Sequence, residues 1–275
     1  MPMDMEAQSL SLLTEPNEVM TRYEGPVQWI TLTRAVRRNA LSRSLVDALL
    51  GHFQSIQEGS ATRVVVLTGE GSAFCAGGDI SEYADAAASR GGTSAEGLAA
   101  LMEAIGACPV PVVASVHGAA YGGGLGLLCA ADIVVAEEGS RFSLSEARLG
   151  LVPAAIAPCV IAALGVRQAR ALMLLAAPFG VDEALRVGLV HRQAPAGALR
   201  TVMDETIADL LQSAPGALSM IKRTPRLLDG LEEAARRDAV VRLHADRLAS
   251  DEGQEGLRAF LEKRQAVWVR PWSTP

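Results

Sequence analysis

Three stretches of this 275-residue chain hold residue types whose spacing could do chemistry. The first is Phe74-Cys-Ala-Gly-Gly-Asp79, where small side chains let a ligand approach backbone N–H groups closely. Taken alone it reads as a tight turn. The second, His117-Gly-Ala-Ala-Tyr-Gly-Gly-Gly-Leu-Gly126, leads into a helix amino terminus, where N–H groups lack partners and the dipole favours negative charge. It is no dinucleotide fingerprint, because Gly124 is followed by Leu125, Gly126 and Leu127 rather than the GxGxxG spacing. Each loop follows a strand candidate, so both are expected on the carboxyl edge of one parallel sheet, where ligands bind. Two N–H groups from separate loops could then hold one oxyanion, and one such donor is worth roughly 2.7–4 kcal/mol in a protease. The third stretch, Phe142 to Pro153, places Glu146 among mostly apolar and small residues. From the residues alone Glu146 is a surface group first, then a partner for Arg148 or an acid–base residue.

Several other chemistries are excluded. Lys222 and Lys263 are the only lysines and neither follows a glycine, so there is no phosphate-binding P-loop. No G-x-S-x-G supports a serine nucleophile. Cys75, Cys108, Cys129 and Cys159 form no C-x-x-C pair, and His52, His117, His191 and His244 are equally scattered, so no metal site is expected. A chain this long needs no disulfides, and its thiols suit a cytoplasmic protein.

The elements that must position these loops follow from periodicity. Val27–Leu32, Arg63–Thr68, Val112–Val116 and Ile133–Ala136 are short apolar strand candidates. Ser44–Gln57 has helical spacing, Thr93 with Glu96 fits a capping box opening a helix that ends near Cys108, and a two-turn helix follows Gly122–Gly124. Strands alternating with helices predict a parallel α/β core. Beyond residue 195 the strands stop, and Leu199–Leu211, Ala217–Leu228, Leu231–Leu248 and Glu252–Ala266 read as helices broken by Pro215, Pro225 and Gly230. The expected organisation is a flexible leader at 1–18, an α/β core at 19–198 and a helical region at 199–275.

Composition sets the frame. Hydrophobic residues are 49% and charged residues 20%, which is ordinary for a globular protein. The net charge of −6 and the absence of a basic stripe argue against a nucleic-acid partner. The acidic amino terminus does not read as a secretory signal, and no apolar run of ~18 residues predicts a membrane span.

Taken jointly, these stretches resemble the crotonase superfamily, the enoyl-CoA hydratases and isomerases. The likeness covers Arg38-Asn-Ala-Leu41, Ala73 to Ile80, Gly118 to Asp132, Ser145 to Pro153, Ala184 to Val190 and Phe260 to Arg264. It implies a ββα spiral core with a C-terminal helical trimerisation domain, and a homotrimer or dimer of trimers. It places the oxyanion hole at the N–H groups of Ala76 and Gly123, and the CoA and acyl path along Ala76, Gly77, Gly78 and Asp79. Asn39, Ala40 and Leu41 fall where the family contacts the CoA arm. Phe260 and Lys263 fall where a neighbouring subunit reaches the nucleotide end of CoA, although a lone lysine also reads as a solvated helix face. The substrate would be an acyl-CoA thioester, with no metal or redox cofactor required.

The chain departs from the family at one position. Well-known hydratases carry two glutamates; the second matches Glu146, and the first matches Gly126. Three activities stay open: hydration of a 2-enoyl-CoA with Glu146 as acid–base residue, 3-enoyl to 2-enoyl isomerisation by that single glutamate, and acyl-CoA binding without turnover. The stretches around Tyr121–Gly126 and Ser145–Pro158 resemble bacterial hydratases of the methylglutaconyl-CoA and carboxygeranoyl-CoA type, which act on branched, carboxylated acyl groups. On this expectation Gly126 leaves room for a larger acyl group.

Overall fold

The structure is a computed structural model that describes residues 18–89 and 95–272. In chain order its strands are β1 (Val19–Glu24), β2 (Val27–Leu32), β3 (Val64–Gly69), β4 (Val112–Val116), β5 (Ala119–Tyr121), β6 (Ile133–Glu137), β7 (Arg141–Ser143) and β8 (Arg192–Ala194). Six of them form one sheet in the order β1-β2-β3-β4-β6-β8, and β5 pairs with β7 in a second, small sheet. Only β1 runs antiparallel; it turns into β2 through Gly25, whose φ of 53° suits a tight hairpin.

The helices are α1 (Arg43–Ser55), α2 (Ile80–Ser89), α3 (Ala95–Ala107), α4 (Gly123–Ala130), α5 (Ala157–Leu175), α6 (Val181–Arg186), α7 (Leu199–Leu211), α8 (Pro215–Leu228), α9 (Glu233–Ala249) and α10 (Asp251–Leu261). Twice the chain leaves the large sheet, adds a strand to the small sheet and returns through a helix, as β4-β5-α4 and β6-β7-α5. Strands β2, β3 and β4 are buried on both faces, as parallel strands inside a covered sheet demand, while the edge strand β1 exposes Met20, Arg22 and Tyr23. Val65, Leu67, Val112 and Ala114 point to a core shared with α1, α3, α4 and α5. Val64, Val66 and Val113 point to the opposite core, with Met203, Ile207 and Leu211 of α7.

Expected and observed elements differ in instructive places. The bounds of β2, β4 and α7 coincide with the apolar runs that predict them. Helix α7 packs on the sheet, so the expected boundary at 198/199 falls inside the packed body. Glu18, assigned to the leader, accepts hydrogen bonds from Ser42 and Ser44 and pairs with Arg34 at 2.6 Å. Pro225 lies within α8 rather than breaking it. Thr93 lies outside the described residues. Helix α5 is long and apolar enough by length and composition to cross a membrane; here it kinks at Gly165 and buries Val160, Leu164 and Ala169. Helices α9 and α10 bury only Ala259 between them, leaving Val241, Phe260 and Leu261 exposed.

Candidate active site

The two glycine loops meet side by side. Cys75 N–H donates to Ala119 O, and Tyr121 N–H donates to Cys75 O, each at 3.0 Å, so the first loop lies along β5. On its other edge Leu41 N–H donates to Gly77 O at 2.7 Å and Asp79 N–H donates to Leu41 O at 3.1 Å. N–H groups alternate sides along extended chain. The Gly78 N–H therefore faces away from Leu41, and it has no acceptor among the described residues. Gly123 opens α4, so its N–H is one of the unpaired donors of a helix start. A Cβ on Gly123 would lie 3.9 Å from the Gly78 nitrogen, so both donors border one spot. Such closeness requires glycine: a Cβ on Gly77, at φ 97°, would meet Tyr121 O at 2.8 Å.

This geometry corrects the expected oxyanion hole. The Ala76 N–H donates to Arg38 O at 2.9 Å and is consumed there. The donor from the first loop is Gly78, two residues later, while Ala76 contributes only to the cavity wall.

Other expected contacts separate in the same way. Asp79 is buried and does not line the cavity. It takes hydrogen bonds from the Ser81 hydroxyl at 2.5 Å and from Arg34 at 3.1 Å, and these bonds hold its carboxyl below the usual range despite burial. It is a staple, not a second acid. Asn39 is fully buried, and its side-chain amide donates to Glu70 O, Ala73 O and Phe74 O at 2.8–3.1 Å. It cannot touch a CoA arm; it ties the loop before α1 to the loop after β3. The Ala40 carbonyl accepts from Arg34, and Leu41 presses a methyl against Gly123. Phe260 and Lys263 are exposed near the end of α10 and do not line this cavity. The Cys75 thiol, wholly buried, is pushed up to about 12 and is no nucleophile.

Glu146 begins a short 3₁₀ turn, Glu146–Leu149. Its Oε1 lies 3.0 Å from where a Cβ on Gly122 would sit, next to the candidate hole. Its Oε2 is buried with no hydrogen-bond partner among the described residues. Burial pushes this carboxyl up from its ordinary value. No ion pair joins it to Arg148 among the described residues, so the acid–base alternative is the one the geometry favours.

At Gly126 the expected room is absent. A Cβ there would meet Ile156 Cγ2 at 2.5 Å and Ile156 Cβ at 2.9 Å. Ile156 is 1% exposed and fills the volume a side chain at 126 would take.

These groups border a cavity of about 570 Å³, whose walls include Ile80, Leu98, Leu149, Val152 and Ile156. Glu146 is the only charged residue lining it among the described residues. Residue spacing missed most of the apolar wall, including Ile156 and Tyr83, whose hydroxyl occupies the place of a Gly78 side chain. Tyr83 sits on α2, a helix the apolar pattern did not reveal. No group of three His, Cys, Asp or Glu side chains could hold a metal ion among the described residues.

The family model "Enoyl-CoA hydratase/isomerase" matches residues 22–271. The chain belongs to the enoyl-CoA hydratase/isomerase family. The structure of Pseudomonas aeruginosa AtuE superposes with a TM-score of 0.87 at 37% identity, covering 92% of this chain and 100% of that one. An enoyl-CoA hydratase/isomerase from Marinobacter aquaeolei does so with a TM-score of 0.85 at 30% identity, covering 92% and 99%. A carnitinyl-CoA dehydratase of Salmonella enteritidis is 32% identical over 258 residues, 89% of this chain and 95% of that one. Membership in the enoyl-CoA hydratase/isomerase family supports a hydratase-type activity on an acyl-CoA thioester, and the mixed α/β fold agrees with it.

Proposed function

We propose that the chain adds water across the 2,3 double bond of an enoyl-CoA thioester, with Glu146 as its acid–base residue. The observation that carries this is an unpaired, desolvated carboxylate beside two unengaged backbone donors. The thioester oxygen is held by the N–H groups of Gly78 and Gly123. Glu146 takes a proton from water while the hydroxide bonds to C3, and the electron pair of the double bond moves toward the thioester oxygen. The two donors meet that developing negative charge without reorganising. Glu146 then returns the same proton to C2, so H and OH both come from one water. Burial helps, because a carboxyl raised toward neutral pH is a better proton carrier. Loss of conjugated thioester absorbance with 2-enoyl-CoA substrates tests it, comparing wild type with Glu146→Gln.

One observation favours a second reading. The volume next to Gly126 is hydrocarbon, so a single carboxylate lines the cavity among the described residues. A 3-enoyl to 2-enoyl shift needs only one base, which would take a proton from C2 and return it to C4. Formation of conjugated product from 3-enoyl-CoA across chain lengths would establish this activity; no product would reject it. Turnover by wild type that disappears in Glu146→Gln rules out acyl-CoA binding without catalysis.

A branched or carboxylated acyl group belongs with these proposals. The described lining is apolar at Leu149, Leu151 and Val152, which suits a branched acyl group, and holds no cation to meet a second carboxylate. The exposed apolar side chains of α9 and α10 suit coverage by further copies in a homotrimer or a dimer of trimers, in which Phe260 and Lys263 would reach a neighbour's CoA. Sedimentation of the full chain reads that assembly directly.

A further inference from the structure

A second cavity of about 550 Å³ lies behind the first, and Ala155 lines both. Ile156 faces the acyl cavity, while Pro158 and Cys159 face the second one. The Cys159 thiol donates to Ile156 O at 3.0 Å and approaches Gly126 O at 3.7 Å, tying the start of α5 to α4. Gly126 lets α5 come this close, and the Ile156 side chain occupies the space so made.

We infer that Ile156 is a specificity-determining residue that closes the inner end of the acyl pocket and limits the size of the acyl group. The inference rests on the proposed acyl-CoA activity and goes beyond it by naming what sets its range. The groups carrying it are uncharged and packed, so the selection is by shape. Gly126 and Ile156 act as one unit: a side chain added at 126 meets Ile156 Cγ2 at 2.5 Å and Ile156 Cβ at 2.9 Å and must displace it. Shortening Ile156 lengthens the pocket toward the partition at Ala155. A hydrocarbon pocket discriminates by about 10-fold or more for a methylene that does not fit.

The test uses 2-enoyl-CoA thioesters of increasing length, with Ile156→Ala and the gentler Ile156→Val beside the wild type. Binding of the matching saturated acyl-CoAs is measured in parallel, so that binding is read without turnover. The expected result is a rise of about 10-fold or more in the long-over-short ratio of kcat/KM for Ile156→Ala, with the same order in the binding constants. Ile156→Val, which keeps most of the packing, should move the ratio the same way by a smaller factor. Ratios within twofold of wild type in both variants overturn the inference and leave the activity standing. A wild type that binds and turns over none of the thioesters overturns the activity, and the inference with it. As an independent check of the pair, Gly126→Ala should lower Tm, and adding Ile156→Ala should restore part of the loss. Additive losses would count against the coupling.

Discussion

The two cavities are nearly equal in size and share a wall, yet their charges are used differently. In the second cavity Lys222, on α8, places its ammonium 2.6 Å from Asp132 and donates to Val110 O at 2.8 Å. Asp132 also accepts from Val112 N–H at 2.7 Å. Burial pushes the Asp132 carboxyl up, and the lysine draws it back. His191 accepts from Val134 N–H at its Nδ1, and burial holds its pKa below the ordinary value. Among the described residues, the one carboxylate lining the acyl cavity has an oxygen with no partner, and the nearest donors, Gly78 and Gly123, are unengaged too. Paired charge fastens helices to a sheet; unpaired charge beside unpaired donors is available to a substrate. An unpartnered carboxylate oxygen beside two unengaged backbone donors distinguishes the candidate site from the other unpartnered buried polar atoms.

This contrast can be broken from either side. The largest effect on stability is expected at Lys222→Met, which strands the half-buried Asp132 and should cost about 3 kcal/mol. Chemical denaturation measures that cost, while kcat of the folded fraction should hold near wild type. Asn39→Ala comes next. It leaves three backbone carbonyls short of a donor and places alanine at a φ of 55°, for a loss of about 2 kcal/mol. Because Asn39 anchors the loop bearing Gly78, kcat should fall with it. The smallest effect is on the pH dependence of stability. The folded pKa of Glu146 is raised, so its contribution to stability is fully present below the unfolded pKa and is lost as pH rises through the folded value. Glu146→Gln should flatten that part of the stability-versus-pH curve; an unchanged slope would mean the carboxyl is solvated after all.

Much of the fold and part of the candidate site are legible in the residues, but unevenly, and the paired charges of the second cavity are not. The apolar runs of β2 and β4 announce themselves, because a strand buried on both faces needs unbroken aliphatic sequence. The glycine loops announce a close approach to backbone. Which N–H in Phe74–Asp79 is free does not show in residue types: it depends on pairing with Arg38 and Leu41, which uses up Ala76 and spares Gly78. Helix α5 is hidden by Pro158 near its start and Gly165 at its kink, both of which read locally as interruptions. Ile156 looks like any core isoleucine. Its meaning arises only where it meets Gly126, and no local periodicity reports a contact between distant positions. The same contact overturned the expectation that Gly126 enlarges the pocket, since a missing side chain in a packed interior is filled by a neighbour.

In the proposed reaction one carboxylate performs both proton transfers. Steady-state kinetics of Glu146→Gln with 2-enoyl-CoA substrates test it most directly, because glutamine keeps the shape and removes the proton carrier. The expected result is a fall in kcat of about 10²–10⁴-fold with acyl-CoA binding within a few-fold of wild type. A variant that keeps most of its kcat would contradict it.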